Sequence, residues 1–173
     1  KMLRILKHRW HDSGDTHRVI PDAMATRLAQ RIAASESRHT GEVRLCIEAA
    51  LPLSYLWRLH GEASLGGLVR ERALSWFGKL GVWDTQDNNG VLIYLLLAER
   101  SIEFVADRGL SARVTQAQWQ AMVDRLAAHL QRDDFENGLT QALEEVSALL
   151  VAFYPCEPGE LNPNELSDVV VRA

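Results

Sequence analysis

Apolar positions along the chain recur at two spacings, one of three to four residues and one of two, and the switches between them predict the order of elements. Val91 to Leu97 (VLIYLLL) is almost unbroken apolar, which at this length predicts a strand buried on both faces. The next run places Ile102, Phe104 and Val105 among the polar residues Ser101, Glu103 and Asp107. The four residues Ala98 to Ser101 can close the two runs into an antiparallel hairpin.

Upstream, Pro21-Asp22 opens a predicted helix to about Ser37, with Met24, Leu28 and Ile32, and Ala25, Ala29 and Ala33 beside them, on its apolar face. Gly41 turns the chain into a strand over Glu42 to Glu48, with Val43, Leu45 and Ile47 on one side and Arg44 and Cys46 on the other. Ala49 to Gly67 is irregular, broken by Pro52, with LSYLWRL as a short helix. From Leu68 a helix gathers Val69, Ala73, Trp76, Phe77 and Leu80 on its buried side, leaving Leu68, Arg72, Ser75 and Lys79 on the other. Strand, helix and the Val91 strand make a β-α-β unit, so these two strands are expected to be parallel. Val114 to Leu130 and Phe135 to Leu150 carry two further helical patterns, separated at Asp133-Asp134.

The fold class is therefore α/β, in one domain over residues 21–153. A leading segment, 1–20, is anchored by Trp10 and shows no periodic element. The Pro-rich tail, 154–173, offers an edge strand at Val169 to Val171.

Composition narrows the functional classes. The 173 residues are 47% hydrophobic and 24% charged, enough apolar material for a full core. A net charge of −4 and a pI near 5.9 disfavour general nucleic-acid binding. Cys46 and Cys156 form neither a C-x-x-C motif nor a disulfide framework. The start KMLRILKHRWHD has no apolar core like that of a signal peptide, and VLIYLLLA is far shorter than the roughly 20 residues of a membrane helix. The expectation is a cytoplasmic protein without an integral membrane segment.

Chemistry concentrates at the hairpin's open end. Asp84, Asp87, Asn88 and Asn89 precede the buried strand, while Asp107, Arg108 and Gly109 follow its antiparallel partner, so the two loops meet at one end of the sheet. Oxygen donors from Asp84, Asp87, Asn89 and Asp107 suit a hard cation such as Ca²⁺ or Mg²⁺, and the Arg108 fork suits a phosphate. Solvated turns explain the same residues, because Asp and Asn side chains bond neighbouring backbone groups. Glu36, His39 and Glu42 flank the helix-to-strand turn and are the other candidates, a lone His near Glu being more often a cap or surface pair than a catalytic base. His8, His11, Asp12, Asp15 and His17 have metal-ligating chemistry without a frame to hold it. G-x-S-x-G, P-loop and H-E-x-x-H motifs are absent.

The stretch DNNGVLIYLLLAERSIEFVADRGL resembles the TPM-domain family, shared by a thylakoid lumen protein, a photosystem II repair protein and a receptor modulator. The likeness rests on Asn89-Gly90-Val91-Leu92 and Asp107-Arg108-Gly109. SESRHTGEVRLCIE, RERALSWFGKLGVWDT, the Trp119 helix, FENGL and Asn164 to Leu166 are most similar to the short soluble bacterial branch. It covers roughly Pro21 to Leu150. The resemblance implies a three-layer α/β/α sandwich with a central mixed sheet of about four strands. It also implies acid-phosphatase-like activity in a plant member and divalent-cation binding in some members. Other members serve in photosystem repair or modulate receptors.

Two functions follow. One is a cation-dependent phosphatase-like protein in which Asp84, Asp107 and Arg108 are catalytic and the substrate is a phosphorylated small molecule. The other is a non-catalytic calcium-binding or assembly module with a protein partner, for which Tyr55, Trp57 and Trp83 are the aromatic residues to inspect.

Overall fold

Strand β2 (Gly90–Leu96) is buried at every position, because apolar side chains fill both its faces and a neighbouring strand occupies each of its edges. The computed structural model describes residues 2–9, 11–59, 61, 63–157, 159–160 and 166–173. β1 (Glu42–Glu48) runs parallel to β2 with Leu45 opposite Ile93, and β3 (Ser101–Ala106) runs antiparallel with Phe104 opposite Ile93. β4 (Val171–Arg172) pairs parallel with β1, giving the order β3-β2-β1-β4. The expected tail strand therefore forms, shortened to two residues.

Between β2 and β3 the chain makes a 3-10 turn, Leu97–Glu99, and then a left-handed residue, Arg100, at φ 48°. Arg100 is held there by its guanidinium, which donates to the Leu130 carbonyl (2.8 Å) and to Asp133 (2.9 Å).

Helices α3 (Asp22–Glu36), α7 (Gln116–Gln131) and α8 (Phe135–Phe153) cover one face of the sheet. Leu28, Ile32, Leu126, Leu143 and Leu150 pack there against Val43, Leu45, Ile93 and Phe104. α4 (Leu53–Arg58) and α5 (Leu65–Lys79) cover the other, with Leu56, Val69, Ala73 and Trp76 against Cys46, Leu92, Leu96 and Val105. The protein is thus a three-layer α/β/α sandwich. Full burial of each such aliphatic side chain is worth about 1.5–3 kcal/mol.

Within the helices the structure corrects the sequence reading in three places. Residues 1–20 are not without periodic structure: α1 (Met2–Arg9) and α2 (Ser13–Val19) form, and Asp12 and Asp15 close a capping box on α2. His8 is buried; its Nε2–H donates to Glu99 (2.9 Å) while Nδ1 accepts the Leu51 amide (3.0 Å), tying α1 to the sheet. Trp10, the expected anchor, lies outside the described residues. Leu68, assigned to the outer side of its helix, is 1% exposed, because it lies next to Val69 and two turns before Trp76 on the inward arc of α5. Of the expected α3 face, Ala33 is exposed, since Ser35 and Glu36 take the inner positions of the last turn.

Candidate functional site

The hairpin's open end is built from three chain segments. The Asp107 amide donates to the Gly90 carbonyl (2.9 Å), and the Gly109 amide donates to the Asn88 carbonyl (2.9 Å), which stitches the α5–β2 loop to the β3 exit. The third segment enters through Thr40. Its amide donates to the Tyr154 carbonyl (2.9 Å), its hydroxyl donates to Asp87 Oδ2 (3.2 Å), and the Thr40 Oγ1 itself accepts from Asn89 Nδ2 (3.1 Å). Asn89 is fully buried, and its amide donates to Thr85 Oγ1 (3.1 Å).

The glycines of the N-G and D-R-G sequences serve close approach. A Cβ on Gly90 would stand 2.0 Å from the Val82 carbonyl oxygen. One on Gly109 would meet the Asn88 and Asp87 carbonyl oxygens at 2.5 and 2.7 Å and the Tyr154 hydroxyl at 2.8 Å. Asp107 caps α6 (Arg108–Ser111), its Oδ1 accepting the Arg108 amide at 2.7 Å.

Two side-chain oxygens at this junction, Asn89 Oδ1 and Asp107 Oδ2, are buried and accept no hydrogen bond. Buried polar atoms are nearly always satisfied, so an orphan pair on adjoining segments needs a physical reason. Both are hard oxygen donors that a cation accepts. Among the described residues, no three His, Cys, Asp or Glu side chains stand together as a metal-holding group. A cation here would instead combine Asn89 and Asp107 with backbone carbonyl oxygens and water.

Of the sequence candidates, Asp87, Asn89 and Asp107 lie on the joined segments. Asp84 stands apart: it is exposed, and its side chain enters no hydrogen bond or ion pair among the described residues. The Arg108 guanidinium is exposed and likewise unpaired, at the rim of the junction. Thr40 and Tyr154 were missed, because nothing local in the sequence distinguishes them. Their roles come from contacts reaching across 47 and 45 residues to Asp87 and Gly109.

Glu36, His39 and Glu42 form no surface pair. All three are buried, with the Glu36 carboxyl accepting the Val43 amide (3.0 Å) and His39 Nε2 paired with the Ser35 hydroxyl (3.0 Å). Burial pushes Glu36 up to about 9, assisted by the neighbouring carboxyls of Glu42 and Asp168 and opposed by the Val43 bond. Burial pushes His39 down to about 4. On the opposite sheet face, Glu48 is held by Arg72 (Nε to Oε1, 2.9 Å) and by the Tyr94 hydroxyl (2.7 Å). Trp57 and Trp83 are 68% and 55% exposed, whereas Tyr55 is half-buried beside the Arg58 and Arg72 guanidinia.

These features define an α/β/α sandwich that presents paired Asp/Asn loops at the open end of its central hairpin. The chain belongs to the TPM domain family, whose match spans residues 14–149. Its fold is similar to that of the BA42 protein from the psychrophilic bacterium Bizionia argentinensis sp. nov. The TM-score is 0.72 at 20% identity, with 89% of this chain and 95% of that one covered. It is also similar to the N-terminal domain of a protein from P. gingivalis, with TM-score 0.54, 22% identity and 76% of each chain covered. No curated protein matches the chain. Among the described residues no helix is long and apolar enough to cross a membrane.

Proposed function

We propose that the loop junction is a divalent-cation site and that the protein is a cation-dependent, phosphatase-like member of its family. The observation that carries this reading is the pair of buried oxygens without partners, Asn89 Oδ1 and Asp107 Oδ2. Asp87, bonded to Thr40, adds a carboxylate to the approach, and Ca²⁺ or Mg²⁺ fits oxygen donors of this kind. When bound, the cation supplies charge neutralisation on a phosphoryl oxygen and acidifies a coordinated water. The chain's own contribution is positional. Thr40 holds Asp87 and Asn89 in one network, the Asp107 cap fixes the first amide of α6, and the unpaired Arg108 guanidinium is free to take a phosphate oxygen.

The test is turnover of a generic phosphomonoester by metal-stripped protein with Ca²⁺ or Mg²⁺ added back, at acidic and neutral pH. Turnover that needs the cation and is lost in Asp107→Asn and Arg108→Gln supports the enzyme reading. Turnover unchanged by both variants removes the junction from catalysis.

A second reading, a calcium-binding assembly module, draws on the exposure of Trp57 and Trp83. Cation binding without turnover would favour it.

A further inference from the structure

The outer edge of β3 is open, and its phase is fixed by bonds already described. The Asp107 amide donates to the Gly90 carbonyl, and in an antiparallel ladder such bonded pairs alternate. Ser101, Glu103 and Val105 therefore bond to β2, while the backbone groups of Ile102, Phe104 and Ala106 point away from it. Among the described residues one outward group has a partner, and it confirms the phase: the Phe104 carbonyl accepts from Arg70 Nη1 at 2.7 Å, and the same nitrogen donates to Glu103 Oε2 at 3.1 Å. Among the described residues the Ile102, Phe104 and Ala106 amides have no acceptor.

This edge lies in a groove rather than on a flat rim. A cavity of about 460 Å³ runs along it, walled by Arg70 of α5 on one side and by Val114, Trp119 and Val123 on the other. Trp119 is stacked on Phe104, with ring centroids 5.8 Å apart, so it offers a fixed apolar wall. Natural sheets protect open edges, and here a single arginine covers one carbonyl and leaves the three amides bare.

We infer that the β3 edge is a docking groove for an extended peptide strand whose residues alternate between apolar and acidic. Amides and carbonyls repeating every second residue match the main chain of an added strand. Side chains of that strand would alternate between the Trp119 wall, which selects apolar groups, and the Arg70 wall, which selects a carboxylate. When the incoming strand takes the Phe104 carbonyl, Arg70 loses that bond but keeps Glu103, and its remaining guanidinium N–H groups are open to an acidic side chain. A second copy of the protein fits poorly, because each β3 would be recessed behind its own flanking helices. The site lies at the strand edge and uses none of the junction residues Asn89, Asp107 and Arg108, so its test is independent of the proposed cation chemistry.

The probe is a capped eight-residue peptide alternating valine and glutamate, added to ¹⁵N-labelled full chain and followed by amide shifts and hydrogen exchange. Binding should slow exchange at Ile102, Phe104 and Ala106 and leave Ser101, Glu103 and Val105 as protected as before. Two isomers, N-methylated on all valines or on all glutamates, should differ by about tenfold or more in affinity, because only one edge of the added strand faces β3. Ala106→Pro removes an outward N–H and spares the β2 ladder, so it should weaken binding by a similar factor with the fold intact. A valine–lysine peptide should bind worse than valine–glutamate. The inference is overturned if the three amides do not respond, if both isomers bind equally, or if the same amides become protected with protein concentration alone, which would assign the edge to a second copy.

Discussion

The Gly109 amide donates to the Asn88 carbonyl oxygen at 2.9 Å, and that oxygen would stand 2.5 Å from any Cβ placed on Gly109. The bond that joins the two loops thus depends on the absence of a side chain. Gly109→Ala should destabilise the protein by about 1–3 kcal/mol through overpacking. Gly90→Ala, which faces a backbone oxygen at 2.0 Å, should cost at least as much. Urea midpoints of both variants check this, and a Gly109→Ala midpoint equal to the parent's would mean the loops can separate without penalty.

A second prediction concerns the buried ion pair on the opposite face. The Glu48 side chain is 6% exposed and the Arg72 side chain 17%. Arg72→Leu strands a carboxylate beside the Tyr94 hydroxyl and should cost about 3–5 kcal/mol. Adding Glu48→Leu should recover most of the loss. Denaturation of the two single variants and the double variant measures the coupling, and simple additivity would contradict it.

The pH dependence of stability follows from Glu36 and His39. Glu36 is raised in the fold from 4.5 to about 9, so its contribution is complete below 4.5 and is lost as pH rises towards 9. His39 is lowered from 6.5 to about 4, so its contribution is complete above 6.5 and is lost as pH falls towards 4; His8, lowered by burial, acts in the same direction. The effects oppose each other between 4.5 and 6.5, and above 6.5 the histidines no longer offset the loss from Glu36, to which Glu103, also raised by burial, adds in the same direction. Glu36→Gln keeps an acceptor for the Val43 amide and should flatten the decline between pH 6.5 and 9. Thermal melts across that range would contradict the assignment if the variant kept the parent's slope.

The sheet and main helices were legible because their signals are local and periodic. VLIYLLL has the length and the unbroken apolar content that suit a strand covered on both faces, and Leu28 and Ile32 lie one helical turn apart. The meeting of the Asp87–Asn89 and Asp107–Gly109 loops followed from hairpin geometry alone. What escaped was set by distant partners. Thr40 is an ordinary turn residue until Asp87 and Asn89 reach it, and His39 reads as a surface histidine until Ser35 and the helices enclose it. α1 is too short and too basic to announce burial, and the His8 bonds to Glu99 and Leu51 that fix it span 91 and 43 residues. The open β3 edge was equally hidden, since its phase depends on which residues bond to β2.

Asn89 Oδ1 and Asp107 Oδ2 are proposed above as cation ligands, and calorimetric titration of metal-stripped protein with Ca²⁺, then Mg²⁺, measures this without recourse to turnover. Asp107→Asn is the right comparison because asparagine also caps a helix, leaving α6 intact while removing the charge. The parent should show one saturable site and the variant at least about tenfold weaker binding, without a change in melting temperature of the metal-free forms. Absence of binding in the parent, or equal binding in both, would reduce the junction to hydrogen-bonded turns.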